Sequence, residues 1–291
     1  MNDLMSMGLH RAWKFYTVPG DPSKPFEDDA MKMAAATWDQ AALKKYNGVG
    51  GSVWDSIAYD PDANLIYFGT GNAGPWPAAL RGAELKDNLF AASIVALDVD
   101  TGKYKWHFQN VPSDTWDYDS VQQLLIADMT IRGQQRKVIM QANKNGFYYV
   151  LDRISGKFIS GQPFAALNWA KGLDEATGRP IINKESFYSE KESAIINPGP
   201  GGAHNWSPMS FNPQTGLVYI PSRGWDTFNY ATDPEFKPDS SKVGGSSAAC
   251  AAAGFAPETT AQAKAALFWN DPGTTYQPPG HWLEIAGKLA I

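Results

Sequence analysis

The chain contains Ser56-Ile57-Ala58-Tyr59, Leu65-Ile66-Tyr67-Phe68, Ile94-Val95-Ala96-Leu97 and Tyr104-Lys105-Trp106-His107-Phe108 in succession. Each run is short, β-branched or aromatic, and bounded by Asp, Asn, Pro or Gly, which is the composition of a strand between turns. A second set follows: Gln123-Leu124-Leu125-Ile126, Val138-Ile139-Met140-Gln141, Phe147-Tyr148-Tyr149-Val150-Leu151 and Lys157-Phe158-Ile159-Ser160. Two sets of four short strands, at a period of roughly 40–50 residues, predict an all-β chain built from stacked four-stranded units.

An internal repeat supports that period. Trp54-Asp55-Ser56-Ile57-Ala58-Tyr59-Asp60-Pro61, returning through Leu65-Ile66-Tyr67, realigns with Trp206-Ser207-Pro208-Met209-Ser210-Phe211-Asn212-Pro213, returning through Leu217-Val218-Tyr219. A third unit therefore begins near Trp206. Arg11-Ala12-Trp13-Lys14-Phe15-Tyr16 has the look of the last strand of a preceding unit. This predicts two whole propeller blades, over residues 52–109 and 121–160, with parts of two others. Closed rings use about four to eight blades, so the prediction is a partial β-propeller. Residues 20–47 read as an irregular stretch with one short helix near Asp28–Ala36. Residues 161–203 and 224–280 read as strandless insertions capping one face, the second carrying an Ala-rich patch around Cys250. Loops of that length in a compact domain are usually functional or disordered.

Composition excludes several classes. Eleven Trp, twelve Tyr, 27 Gly and 20 Pro suit an aromatic-packed, turn-rich β protein. The formal charge of −5 and dispersed Lys and Arg argue against a nucleic-acid partner. A single Cys cannot form an internal disulfide. No apolar run reaches the ~18 residues of a membrane-spanning helix, so no transmembrane segment is expected. Met1-Asn2-Asp3-Leu4-Met5 has neither the basic start nor the apolar core of a signal peptide.

Six segments carry the chemistry. Ala96-x-Asp98-x-x-x-Gly102-x-x-x-Trp106 is followed by Gln109. Around it stand Gly50-Gly51-Ser52-Val53-Trp54-Asp55, Gly69-Thr70-Gly71-Asn72-x-x-Pro75-Trp76, Trp116-Asp117-Tyr118, Asn143-Lys144-Asn145-Gly146-Phe147 and Gly202-Ala203-His204-Asn205-Trp206. Together, in this order, they resemble the dehydrogenases dependent on pyrroloquinoline quinone (PQQ), and most the quinohaemoprotein alcohol dehydrogenases. The similarity runs from about Arg11 to Arg223 and more loosely beyond. Taken singly, the same residues read more simply: Trp106 as a blade-packing indole, Asn72 as a turn residue, Lys144 as a solvated turn cation.

The resemblance implies an eight-bladed propeller and a set of roles. Trp54 is implied as the floor beneath the flat quinone, which suits an indole face. Ser52 is implied at the cofactor rim, and Lys144 beside the quinone's reactive oxygens. Asn205 and Trp206 are implied at the quinone edge. Asn72 and Asp117 are implied as ligands of Ca²⁺, a hard cation that takes oxygen donors. Asp117 is also the implied general base that takes the alcohol proton while hydride passes to the quinone. Asp119, two residues on, would share a face with Asp117 in strand geometry. An extra carboxylate there resembles the lanthanide-dependent branch. The implied partners are an alcohol substrate and a cytochrome c-type acceptor, and the implied location is the periplasm.

Some family features are expected elsewhere. The resemblance places a metal-ligand Glu, an adjacent-cysteine disulfide and further quinone contacts upstream of Met1. No Cys-x-x-Cys-His occurs, so no haem c is expected on this chain. The sequence reads as a fragment that binds PQQ weakly and does not turn over in isolation. A non-catalytic propeller scaffold, like the lipoproteins that assist outer-membrane barrel assembly, would share the Ala-x-Asp-x-x-x-Gly-x-x-x-Trp repeat. Such a scaffold has no use for Asn72, Asp117, Lys144 and Asn205 together.

Overall fold

Alternation along single strands sets the architecture. The computed structural model describes residues 11–46, 48–82, 84–223, 227–232 and 283–288, the last stretch by its backbone alone. β1 (Ile57–Asp60), β2 (Leu65–Gly69), β3 (Ser93–Asp98) and β4 (Tyr104–Gln109) pair antiparallel in sequence order. Along β3, Ile94 and Ala96 join one apolar cluster while Val95 and Leu97 join another. The period of two thus buries both faces of the sheet. β5 (Leu125–Ile131), β6 (Gln134–Ala142), β7 (Phe147–Asp152) and β8 (Phe158–Pro163) form the second sheet in the same order. Phe147, Tyr149 and Leu151 of β7 face the cluster shared with the first sheet, and Tyr148 and Val150 face a third cluster.

That third cluster includes Val218 and Ile220 from the next sheet. β9 (Ala170–Leu173) pairs with β10 (Pro180–Ile182), and β11 (Ala194–Ile196) pairs with β14 (Phe228–Tyr230). β12 (Ser210–Asn212), β13 (Leu217–Ser222) and β15 (Leu283–Lys288) make a three-stranded sheet in which β13 is central. Among the described residues the sheets do not close into a ring. The chain is an all-β partial propeller of stacked antiparallel sheets.

Four expectations are corrected. Residues 20–47 hold two helices, α1 (Asp29–Ala35) and α2 (Gln40–Tyr46), rather than one. Asp28 Oδ1 caps the first by accepting from Met31 N, and Asp39 Oδ1 accepts from Ala42 N at the start of the second. Each new cap restarts a helix. Arg11–Tyr16 pairs with no strand among the described residues, so it is not a strand. Residues 161–203 are not strandless: they contain β9, β10 and β11, and β14 follows within the second supposed insertion. The patch around Cys250 lies outside the described residues. In the second sheet, Gln123 and Leu124 precede the first strand, which begins at Leu125.

One turn recurs and locks sheet to sheet. Gly102 N donates to Asp98 O, Gly156 N to Asp152 O and Gly178 N to Asp174 O, each at 2.8 Å. In each case the Asp Oδ1 also accepts from backbone N–H groups inside the turn. The Gly α-carbon then lies on an aromatic ring from a neighbouring element: Trp13 on Gly102, Trp106 on Gly156, Phe158 on Gly178. Trp13 thus packs on the first sheet without belonging to a strand, and its indole N–H also donates to Val99 O at 2.8 Å.

A Cβ at Gly156 would stand 2.5 Å from Trp106 Cε3, on a backbone with φ of +70°. Gly133 has a similar φ of +76° with nothing within 4 Å. Gly133→Ala is therefore expected to cost about 1 kcal/mol, the penalty of left-handed backbone alone. Gly156→Ala should cost roughly 2–4 kcal/mol, since overpacking adds to that penalty. Urea unfolding of the two variants checks the difference, and equal losses would refute the docking role of Trp106.

Candidate active site

Four loops meet above the two complete sheets. The first, Thr70–Gly74, leaves β2, and Gly71 N donates to Ser52 O at 2.8 Å. The second, residues 110–120, follows β4. The third is the turn Asn143–Gly146 between β6 and β7. The fourth is the segment 199–205.

The turn between β6 and β7 is built from nested side-chain caps. Asn143 Oδ1 accepts from Asn145 N at 3.1 Å, and Asn145 Oδ1 accepts from Phe147 N at 2.9 Å. Gln141, at the end of β6, donates through Nε2 to Ser120 O and Gln122 O, both at 2.8 Å. These bonds fix the turn to the loop that carries the carboxylates.

Lys144 projects from that turn into a site where its side chain is 3% exposed. Its Nζ donates to Asp117 Oδ2 at 2.9 Å and to Asp119 Oδ2 at 2.7 Å. Asp119 Oδ1 in turn accepts from Asn72 N at 2.8 Å. One ammonium thus spans two carboxylates, and the second carboxylate reaches the loop that carries Asn72. Gly202 closes over the lysine stem. A Cβ there would stand 2.1 Å from Lys144 Cγ, with φ of +76°, and Ala203 N donates to Lys144 O at 3.0 Å.

The convergence of Asp117 and Asp119 does not come from strand geometry, as the i, i+2 expectation had it. The segment has no strand; Asp117 is left-handed with φ of 67°. Non-glycine residues seldom adopt that conformation, and Asp and Asn tolerate it best. Neighbours hold it from both sides. Trp116 Nε1 donates to Ser186 O at 2.9 Å, Tyr230 Oη donates to Trp116 O at 2.7 Å, and Tyr118 Oη donates to Pro198 O.

Charge in this pocket is finely balanced. Burial pushes the Asp117 carboxyl well above the usual carboxylate range, against the pull of Lys144, and Asp119 adds to the rise. Burial works to lower the Lys144 ammonium, yet Asp117 and Asp119 outweigh it and hold it above its ordinary value. With both carboxylates ionised the cluster carries one negative charge in excess. Asp114, fully buried nearby, is pushed up to about 6 by burial.

The remaining expected residues stand outside this hydrogen-bonded set. Ser52 reaches it through Gly71, whose missing Cβ would lie 3.1 Å from Ser52 Oγ. Asn205 Nδ2 donates to Gly201 O at 2.9 Å, while its buried Oδ1 has no partner among the described residues. Trp54 is 45% exposed and Trp206 59% exposed, large indole faces left open. Each precedes the first hairpin of its sheet, as the internal repeat anticipated.

The donor set suits a hard cation: two carboxylates with excess negative charge and an amide side chain at Asn72. Among the described residues no three His, Cys, Asp or Glu side chains converge as a metal-binding group. An ion here would draw on Asn72, Asp117, Asp119 and donors from outside that set. For a planar cofactor, the open indoles and the orphaned Asn205 Oδ1 are the matching features. Sequence reasoning quoted Gly202 within a motif without giving it a part, and missed Gln122 and Gln141. Nothing in the spacing of the two glutamines marks them.

Comparisons with known proteins point the same way. Residues 8–162 match the family described as PQQ: glucose/ethanol/alcohol dehydrogenase, β-propeller domain. The quinohemoprotein alcohol dehydrogenase of Comamonas testosteroni is 55% identical over 214 residues, covering 73% of this chain and 30% of that protein. Quinohemoprotein alcohol dehydrogenase ADH IIB of Pseudomonas putida is 52% identical over 210 residues, 72% of this chain and 30% of the relative. A lupanine 17-hydroxylase [cytochrome c] of a Pseudomonas species is 46% identical over 212 residues, again 72% and 30%. The chain thus spans about 30% of the length of these curated relatives. Among solved structures, the Comamonas testosteroni enzyme superimposes with a TM-score of 0.74 at 51% identity, covering 78% of this chain and 33% of that one. A europium-containing methanol dehydrogenase gives a TM-score of 0.60 at 38% identity, covering 64% and 32%.

Proposed function

Because the chain belongs to the β-propeller family of PQQ-dependent glucose, ethanol and alcohol dehydrogenases, we propose that it forms part of an enzyme that oxidises alcohols to aldehydes or ketones. The observation that carries this reading is the buried Asp117–Lys144–Asp119 cluster beside Asn72. A scaffold needs no such concentration of charge in a site that burial makes costly.

Bound PQQ supplies the acceptor for the hydride lost from the carbinol carbon, and a cation held with it supplies Lewis acidity. Asp117 takes the hydroxyl proton through the carboxylate oxygen that Lys144 does not engage. Its raised proton affinity suits a base working near neutral pH. Lys144 keeps Asp117 ionisable before the proton arrives, and Asp119 keeps the ammonium balanced afterwards. Asn72, Asp117 and Asp119 are the proposed metal ligands, with Ca²⁺ or, through the second carboxylate, a lanthanide. Trp54 offers the apolar floor for PQQ, with Ser52, Lys144, Asn205 and Trp206 around its edge. The relative named for cytochrome c supports an acceptor of that type, and such chemistry fits the periplasm. Among the described residues no helix is long and apolar enough to cross a membrane.

The test expresses the protein from its complete gene and follows alcohol-dependent dye reduction with PQQ and either Ca²⁺ or La³⁺. Activity is expected, with loss in Asp117→Ala. A preference for La³⁺ that reverses in Asp119→Ala would assign the second carboxylate to the metal. A folded, PQQ-supplied protein inactive with both ions would overturn the reading. The 291-residue chain alone is proposed to bind PQQ weakly and not turn over, because its described sheets leave the ring open. Micromolar affinity of that chain for PQQ would contradict this.

A further inference from the structure

Arg81 is 3% exposed and donates hydrogen bonds to three separate chain segments. Nη1 donates to Pro75 O and, at 2.8 Å, to Trp76 O. Nη2 donates to Asp114 O, and Nε donates to Asn88 Oδ1 at 3.1 Å. Pro75 and Trp76 continue the loop of Asn72, and Asp114 opens the loop of Asp117 and Asp119. A second bond crosses the same boundary, from Ala78 N to Thr115 Oγ1 at 3.0 Å.

Asp114 works on its own loop. Its Oδ1 accepts from Trp116 N and from Tyr118 N, both at 3.1 Å. Those two amides flank Asp117, the residue whose φ is 67°. A single carboxylate oxygen therefore pins the chain on either side of the left-handed residue.

A buried guanidinium bonded to carbonyls rather than to a carboxylate is an expensive way to fill space. Its planar fork can hold several acceptors in fixed geometry, which a lysine ammonium cannot reproduce. We infer that Arg81 is a positioning residue that clamps the Asn72 loop to the Asp117–Asp119 loop, and that Asp114 holds Asp117 in its left-handed conformation. The inference rests on the reading above, in which those three residues take the metal. Arg81 and Asp114 act on the site through its backbone.

The experiment uses protein from the complete gene and two readouts. One is amide hydrogen exchange in peptides covering residues 70–80 and 112–120, which needs no ligand. The other is Tb³⁺ affinity, read by luminescence sensitised through nearby tryptophans. In Arg81→Lys, exchange is expected to rise in both peptides together while the peptide covering residues 134–152 stays protected. Tb³⁺ affinity should fall about ten- to hundredfold, as when partners that orient metal ligands are lost. Asp114→Ala should loosen residues 112–120 and weaken Tb³⁺ to a similar degree, whereas Asp114→Asn, which keeps the accepting oxygen, should restore both. That pair carries the test if Arg81→Lys does not fold.

A folded Arg81→Lys with wild-type exchange in both loops and wild-type affinity would overturn the clamp. So would a fall in melting temperature with exchange raised evenly across the protein. Wild-type protein that fails to bind Tb³⁺, with both loops loosened in Arg81→Lys, would remove the metal reading and leave the clamp standing.

Discussion

Asp117→Asn is expected to abolish alcohol-dependent turnover while making the metal-free protein more stable at neutral pH. The first effect follows from the proposed role. An amide cannot accept the hydroxyl proton, and loss of a positioned base costs about 10²- to 10⁴-fold in rate. The second follows from burial. The Asp117 carboxyl lies well above its ordinary value of 3.8 because burial penalises its charge more than Lys144 relieves it. A raised carboxyl contributes its stability below the unfolded value and loses it as pH rises through the folded one. At pH 7–8 the wild-type protein bears that ionisation penalty, and the neutral amide does not.

Asn also tolerates the left-handed backbone at this position, so the substitution adds no strain. The gain is about 1 kcal/mol or more for each unit of raised affinity, or roughly 2 °C or more in melting temperature for a protein of this size. Thermal melts of metal-free protein from pH 4 to pH 8 should show the variant's advantage opening as pH rises. Added Ca²⁺ should reverse the order, because the wild type alone offers the second ligand charge. A variant less stable than wild type at pH 8 without metal would contradict this account of the site.

Residues that act through local sequence were the most legible. In Ala96-x-Asp98-x-x-x-Gly102-x-x-x-Trp106 the packing Trp was read from sequence; the structure adds that Asp98 caps the turn and that Gly102 lies against Trp13. The same pattern, Asp174-x-x-x-Gly178, stood in the supposed strandless insertion and was passed over. The surrounding Lys and Glu masked a hairpin too short to show alternation. Arg11–Tyr16 read as a strand and is not one, since pairing depends on a partner strand rather than on its own residues.

The site divides in the same way. Asn72, Asp117, Asp119 and Lys144 were singled out through the family resemblance; in the structure Lys144 Nζ donates to both carboxylates, and Asn72 joins them through its backbone N–H, which donates to Asp119. How Asp117 and Asp119 converge was misread, because a left-handed residue in a loop leaves no periodic signature. Arg81 and Asp114 were invisible. Arg81 acts through carbonyl oxygens, which every residue carries, so neither its partners nor its spacing distinguishes it.

Lys144→Met carries the largest expected loss of stability. Among the described residues Lys144 is the one cation hydrogen-bonded to both carboxylates, and both partners are largely withdrawn from water. Removing one member of a buried ion pair leaves an uncompensated charge and costs about 3–5 kcal/mol. The two carboxylates would then also repel each other. A raised ammonium gives its full contribution below its unfolded value of 10.5, so the whole loss is present at pH 7.

The deficit should shrink as pH falls, because Asp117 is already easily protonated and a protonated partner no longer needs the cation. A metal ion should do the same work by another route. Ca²⁺ or La³⁺ is expected to raise the melting temperature of Lys144→Met more than that of wild type, since in the variant the ion meets no competing ammonium. Denaturant unfolding at pH 5 and pH 8, with and without the ion, separates these effects. A deficit independent of both pH and metal would mean that Lys144 stabilises through packing beneath Gly202 rather than through its charge. The reading of Asp117 and Asp119 as metal ligands would then lose its electrostatic basis.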